Sequence, residues 1–596
     1  MLRGQGRLRP RAVLTAAVAP LLLLLTPFVV FLRHHDYPLA RPEIAVCLIA
    51  AAVLAAAIGL VVAGSRPLEL VALSALATLF ADIQFEPPKG TIGRAAIFVL
   101  VFTLLWVVRR HAATIVSLAT AAMLVSSLAA PGNPGENAHR PMAVVAAQLP
   151  LLVHLVLDEH VGVAGMPSGP AGETARAMLH DFFARHGFRV FDGAYSQHFT
   201  TYRAIGHLLN GTFDRYAPEL VEPARGTGHW RLRRSTYFDR LRQRGYALRV
   251  YQTDYLDLCP PDTFQATCET YESTTLRALV PLDLTTREKA SVVAGMYLDR
   301  SLLYGQVRNL YRAARRSLAS VVRVPAWDWE RTRLNALSSV PILESVVRDV
   351  RQAHRGQAIF AHLLIPHYPY AFDRDCHARP PSGWLERMDR DAPAGTINTE
   401  ASRRQRYGEY FDQLACLYRR LDRLMSAIPV ELRQEAIIII QGDHGSRIAI
   451  HEPSAEQQTL LTTNDLADAY STLFAVRARP LPAGHDLRMM TTACLLGHLN
   501  ATNFSDPSAV DTCVTPPGAF LARTDSEDKR PVFMPLPPFT RSEAPRATAP
   551  YGPRPGLDAI EKRPRLHPSR VRHHRPRVPR SARTAPRAPL AFAHLA

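Results

Sequence analysis

Nothing in this 596-residue chain repeats, and none of its seven cysteines shows the close spacing of a zinc finger. The first absence excludes solenoids and propellers, and the second excludes small metal-nucleated modules. A leader cleavage site is also missing. One apolar segment follows another from the start, so a removable signal peptide does not fit. Acidic residues are scarce at the far end. Residues 541–596 hold thirteen Lys/Arg against three Asp/Glu, which is +10 of the whole chain's +18. A Pro-, Arg- and Ala-rich stretch of this kind cannot bury enough apolar surface to order itself, so we expect a disordered basic tail over 527–596. Without that tail the chain is only mildly basic.

What is present begins with five apolar runs, 13–32, 44–64, 68–83, 95–108 and 112–130, the third and fourth short for a bilayer. They define a membrane domain over 1–131 with about five spans. Arg3, Arg7, Arg9 and Arg11 precede the first run, and Arg109 and Arg110 separate the fourth from the fifth. Five spans place both basic clusters on the cytoplasmic side, as the positive-inside rule prefers. Arg33 and Arg41 oppose it. The rest of the chain then lies outside a bacterial inner membrane, where nucleic acid is not an expected partner. Cysteine usage agrees: Cys47 sits in a span, and the six that follow suit disulfides in an oxidising compartment. Nearest-neighbour pairing gives 259–268, 376–416 and 494–513, one of fifteen pairings six cysteines allow.

Residues 136–526 suffice for one large α/β domain. Strand-like runs at 151–157, 188–191, 247–251, 359–365, 437–441 and 471–476 alternate with helical stretches. The clearest helix is 404–427, with Tyr407, Tyr410, Leu414, Leu417, Leu421 and Leu424 at helical spacing. The alternation predicts a central, mostly parallel sheet.

Two strand ends carry chemistry. The run Ile437 to Ile440 stops at Gln441-Gly442-Asp443-His444-Gly445, setting a hard oxygen ligand beside a nitrogen ligand. Ligands in open α/β sheets gather at carboxyl ends of strands, and Asp with His suits Zn²⁺ or Mn²⁺. The first strand of the domain ends at Asp158-Glu159. That pair could bind one metal through Glu159 or two with Asp158 contributing; Mg²⁺ and Ca²⁺ are alternatives. Thr201 precedes a short apolar helical run closed by Asn210-Gly211. Its hydroxyl would face a helix's positive end, although Thr is also an ordinary N-cap.

The ordered set Asp158-Glu159, Thr201, His367 and Asp443-His444 resembles the alkaline phosphatase/sulfatase superfamily. Five spans before an external domain resemble its membrane members, such as lipoteichoic acid synthases and phosphoethanolamine transferases. The resemblance covers residues 10–520. It implies that Glu159, Thr201, Asp443 and His444 hold one divalent metal, with Asp158 a further ligand. It also implies that Thr201 is the nucleophile taking a phospho-headgroup (phosphoethanolamine or phosphoglycerol) from a phospholipid donor, for an envelope lipid or glycan acceptor. His367, ending the strand from Ala361, and His451 are its substrate-binding or general-acid candidates. His362 reads as a packed core residue. The Cys/Ser-x-Pro-x-Arg setting of sulfatases is absent, which argues against sulfate-ester hydrolysis. Thr200 and Ser196 leave the nucleophile's register open. A phosphodiesterase or phosphatase of the same fold, and a non-catalytic membrane scaffold, are the alternatives.

Overall fold

The computed structural model describes residues 10–85, 91–129, 148–224, 229–259, 266–318, 334–514, 516–523 and 530–539. The N-terminal runs form helices α1 (Pro10–His34), α2 (Pro42–Val62), α3 (Arg66–Gln84), α4 (Thr91–Val107) and α5 (Ala112–Ala129). Four of the five are long and apolar enough to cross a membrane, and α4 is the exception. Its 17 residues reach about 25 Å at the α-helical rise, short of the ~30 Å hydrocarbon core. Ile49, Val53 and Val61 of α2 are each more than 60% exposed, an apolar surface suited to lipid.

The helices dock on the following domain by particular ends. Phe28 and Phe31, late in α1, pack against Tyr297 at ring-centroid distances of 5.2 and 5.6 Å. Cys47, early in α2, lies 3.8 Å from the Ala290 carbonyl. Asp82, late in α3, accepts from Ser301 Oγ and from Leu303 N at 2.8 and 3.1 Å. The domain thus sits at the α1–α2 turn and the end of α3. Short turns make neighbouring helices antiparallel, so the turn holding Arg109 and Arg110 falls at the opposite end. Arg41, on the domain side, is paired with buried Glu43 at 3.2 Å.

The α/β domain is built on an eight-stranded sheet: β1 (Leu152–Leu157), β2 (Arg189–Phe191), β3 (Ala247–Thr253), β4 (Thr267–Tyr271), β5 (Gln357–Leu363), β6 (Ile437–Gly442), β7 (Phe474–Arg477) and β8 (Gly484–Asp486). Their order is β8-β2-β7-β6-β1-β5-β3-β4. Only β7 runs against its neighbours. All six strand runs read from the sequence are present, with ends shifted by up to three residues. Strands buried on both faces need side chains that are apolar in every position, which is why β6 reads as unbroken isoleucine. Each of those side chains stabilises the fold by roughly 1.5–3 kcal/mol on burial.

One face of the sheet is covered by α6 (Pro170–Arg185) and, later in the chain, by α9 (Thr286–Asp299), α11 (Asn335–Arg351) and α12 (Glu400–Ala427). The other is covered by α7 (Thr201–Asn210), α8 (Thr236–Gln243) and the helix Thr492–Ala501. The helix α10 (Leu302–Leu318) lies between α9 and α11 in the chain. Disulfides join Cys259–Cys268, Cys376–Cys416 and Cys494–Cys513, the nearest-neighbour pairing. One boundary needs correction. The strand Val532–Pro535 pairs antiparallel with Gly518–Leu521, and Leu536 and Phe539 are buried. Folded structure therefore extends beyond 526 to Phe539; residues 540–596, with most of the expected tail, lie outside the described residues.

Candidate active site

Register and parity assemble the site. Leu157 pairs with both Leu363 and Gly442, so β1, β5 and β6 end level. Side chains alternate between faces along a strand. Leu152 and Val156 of β1, Ala358 and Phe360 of β5, and Ile437 and Ile439 of β6 all face α7 and α8. Continuing each alternation carries Asp158, His362 and Asp443 to that same face, where Ile205, Leu208 and Leu209 anchor α7. Thr201 is the first residue of α7 and Thr200 its N-cap, with no side-chain capping bond. Two glycines permit the close fit around Asp443-His444. A Cβ on Gly442 would stand 2.6 Å from the His160 carbonyl, and one on Gly445 would overlap the Asp468 carbonyl.

Asp158, Asp443 and His444 are buried, and one ligand atom of each lies within 4.8 Å of the others. Asp443 Oδ1 accepts from the backbone N–H of Glu159 (3.1 Å) and His444 (2.9 Å), leaving Oδ2 without a hydrogen bond. Asp158 Oδ1 is likewise unsatisfied. His444 Nδ1 lies 3.0 Å from the Gly445 carbonyl, which can only accept. The proton is therefore assigned to Nδ1, and Nε2 presents a lone pair. Thr201 Oγ1 stands 3.2 Å from that Nε2 and 3.4 Å from Asp158 Oδ2. This settles the hydroxyl register by contact. Ser196 instead donates to the His198 carbonyl at 2.8 Å.

Glu159 departs from the expected ligand role. Its backbone adopts a left-handed conformation (φ 62°), and its carboxylate turns to Arg447, whose Nε lies 2.9 Å from Oε1. Arg447 is also left-handed (φ 56°). Non-glycine residues in this region concentrate at functional sites. His367 joins this second pair. Its Nδ1 lies 2.6 Å from the Tyr368 carbonyl, and its Nε2 faces Glu159 Oε1 at 3.7 Å. His451 is not brought to the group; its Nδ1 contacts Asp465 at 3.2 Å beside the helix Thr463–Tyr470. His362, read as core, has Nε2 3.3 Å from Asp158 Oδ2 and no hydrogen bond from either ring nitrogen. Its even spacing from Phe360 was the available signal. Arg447, three residues beyond His444, carried none.

Charge decides what the pocket lacks. Burial pushes the Asp158 carboxyl up to about 6, with His367 opposing and Glu159 reinforcing. Burial and then Asp158 hold Asp443 well above the carboxylate range. Burial and Arg447 keep His444 neutral, and burial takes His362 down to about 4. Arg447 cancels Glu159, whereas Asp158 and Asp443 have no cation of their own. Two unbalanced carboxylates, two unsatisfied oxygens and a free imidazole lone pair fit one divalent metal.

A scan against protein families and a search of curated proteins both return no match. Among solved structures, the chain is similar to the C-terminal periplasmic domain of EcEptC from Escherichia coli in complex with Zn, at 11% identity and TM-score 0.36, covering 68% of this chain and 100% of that one. It is also similar to a phosphonate monoester hydrolase of Agrobacterium radiobacter, at 13% identity and TM-score 0.37, covering 64% and 82%. A third is a protein in the alkaline phosphatase superfamily from Vibrio parahaemolyticus, at 12% identity and TM-score 0.33, covering 68% and 86%. Likeness at this level assigns no activity.

Proposed function

We propose that this chain is a membrane-bound, metal-dependent phosphotransferase of the alkaline phosphatase/sulfatase superfamily. Its site faces the outside of the cell, and it moves a phosphoethanolamine or phosphoglycerol group from a phospholipid to an envelope lipid or glycan. The observation that carries the reading is the pair of uncompensated carboxylates, Asp158 and Asp443, converging with His444 on the hydroxyl of Thr201. Asp158, Asp443 and His444 would hold the ion, Zn²⁺ or Mn²⁺ suiting this ligand set best. When bound it would lower the pKa of a neighbouring hydroxyl and offset charge on phosphoryl oxygens.

The chain's own groups supply the rest. Thr201 sits at the positive end of α7, which favours an anion there. Its oxygen forms a bond to phosphorus as the bond to the lipid's glycerol oxygen breaks, and Asp158 Oδ2 is placed to take the hydroxyl proton. His367 Nε2 would protonate the departing oxygen, and Arg447 beside it would hold the phosphoryl group in place. An acceptor hydroxyl then attacks the phosphorus and restores Thr201. Tethering by α1–α5 keeps the site near an insoluble donor, raising its effective concentration.

Thr201→Ala in the purified full-length protein tests this reading. Transfer to an added alcohol should fall by on the order of 10³-fold or more, while metal affinity stays within about tenfold. Retained transfer in that variant would refute the assignment. Release of the headgroup to water alone, even with abundant acceptor, would make the enzyme a hydrolase instead.

A further inference from the structure

Helix α10 has its polarity inverted. Leu303, Val307, Leu310, Ala314 and Leu318 follow one another at three- and four-residue steps and form one stripe. Val307 is 57% exposed, Leu310 72% and Leu318 47%. The opposite arc carries Tyr304, Arg308, Tyr311, Arg312 and Arg315, which are partly buried against the domain. Arg308 pairs with Asp299, and Arg315 reaches Asp391 at 2.8 Å. The cations thus face inward to protein partners, and the leucines face outward. Exposed apolar residues scattered singly need no explanation, but a continuous helical stripe does.

The position of α10 identifies its occupant. Its first turn is bound to the last turn of α3 through Asp82, which accepts from Leu303 N at 3.1 Å and from Ser301 Oγ at 2.8 Å. Asp82 is itself buried and paired with Arg94 at the start of α4, at 2.8 Å. The helix therefore starts where the span α3 ends, at the depth where hydrocarbon gives way to headgroups. Phe85, one residue past α3, is 66% exposed, so the apolar surface of the spans reaches the same level. A helix with an apolar stripe at this depth lies in the plane of the interface.

We infer that α10 is an interfacial helix. Its Leu303–Val307–Leu310–Ala314–Leu318 stripe is embedded in the outer surface of the lipid bilayer, giving the catalytic domain a second membrane contact independent of the spans. This rests on the reading of α1–α5 as membrane helices, and the test separates the two. The contact fixes how the domain stands over the membrane, which spans joined by short turns do not do alone.

The experiment is spin-label accessibility on the full-length protein in nanodiscs of phosphatidylethanolamine and phosphatidylglycerol. Single cysteines replace Leu310, Val53 (in α2) or Val430 (an exposed residue of the α/β domain), in a Cys47→Ser background. The expected result is that labels at 310 and 53 collide with oxygen and are shielded from a water-soluble nickel chelate, whereas the label at 430 shows the reverse. A label at 310 open to the chelate, with 53 still in lipid, overturns the interfacial helix but not the spans. A label at 310 shielded from both reagents means that protein covers the stripe, and also overturns it. A label at 53 open to the chelate would overturn the membrane reading itself. As a second readout, Val307→Asp with Leu310→Asp should lower transfer from vesicle phospholipid at least fivefold, leaving cleavage of a water-soluble phosphodiester unchanged. Equal rates on both substrates would contradict the proposal.

Discussion

Two clusters of histidine and aspartate stand at the same end of the sheet. At its centre, Asp158, Asp443 and His444 are all buried. At its edge, Asp192 follows β2, His485 lies in β8 and His180 in α6. By ligand type and spacing both could hold a metal. Their charge balance separates them. Both oxygens of Asp192 contact His485 Nδ1, at 3.1 and 3.0 Å, and that bond raises the His485 pKa. A proton neutralises the edge cluster. No proton donor plays that part between Asp158 and Asp443, whose repulsion is unrelieved while both are ionised. Proximity of ligand residues is therefore a weak sign of a metal, and an uncompensated charge of −2 among them is a stronger one.

Substitutions should widen that contrast. Asp443→Asn or Asp158→Asn should weaken metal binding by about 100-fold or more and abolish turnover, whereas His485→Ala should leave the ion count per chain unchanged. Plasma mass spectrometry on dialysed protein reads both. A count that drops on losing His485 would reverse the ranking of the clusters.

The next effect is on stability. Arg447→Met strands Glu159 as a buried charge and should cost roughly 3–5 kcal/mol. Adding Glu159→Gln should recover most of it in a double-mutant cycle by denaturant unfolding. Independent, additive losses would remove Arg447 as the partner of Glu159.

A smaller effect is the pH dependence of the metal-free form. Asp158 titrates at about 6 in the fold, against roughly 3.9 for an unfolded aspartate. Between these values the native state binds more protons than the unfolded chain, so its stability falls as pH rises through the window. The loss is on the order of 2–3 kcal/mol for a shift of this size. Metal should cancel it, because the ion replaces the proton, and apo and loaded melting temperatures at pH 4.5 and 7.5 would show this. For His485 the sign is opposite. Its raised pKa stabilises below the unfolded value of about 6.5 and is lost as pH rises through the folded one. His485→Gln should change the melting temperature only slightly, and only on the acid side.

Much of this architecture was legible because strands buried on both faces must be spelled in long apolar runs. The isoleucines of β6 and the stripe of α12 follow from that requirement, as does the location of Asp443-His444 at a strand end. Glu159 against Asp158 was not legible. The choice depends on a left-handed turn at Glu159 that sends its carboxylate to Arg447, and adjacent acids do not reveal which of them turns. His362 was hidden because a buried imidazole on a strand looks the same in sequence whether its nitrogens are satisfied or not. The strand Val532–Pro535 was masked by a proline- and arginine-rich surrounding, although edge strands tolerate proline. Helix α10 escaped notice because its apolar stripe is ordinary in sequence and becomes informative only once it is found facing outward.

The most direct test of the central claim is to trap the covalent step. Full-length protein, loaded with Mn²⁺ or Zn²⁺ and mixed phospholipids without acceptor, would be digested and its peptides weighed. The account predicts a phospho-headgroup on Thr201, absent from the Asp443→Asn protein. An adduct on Thr200 or Ser196, or headgroup release with Thr201 unmodified throughout, would contradict it.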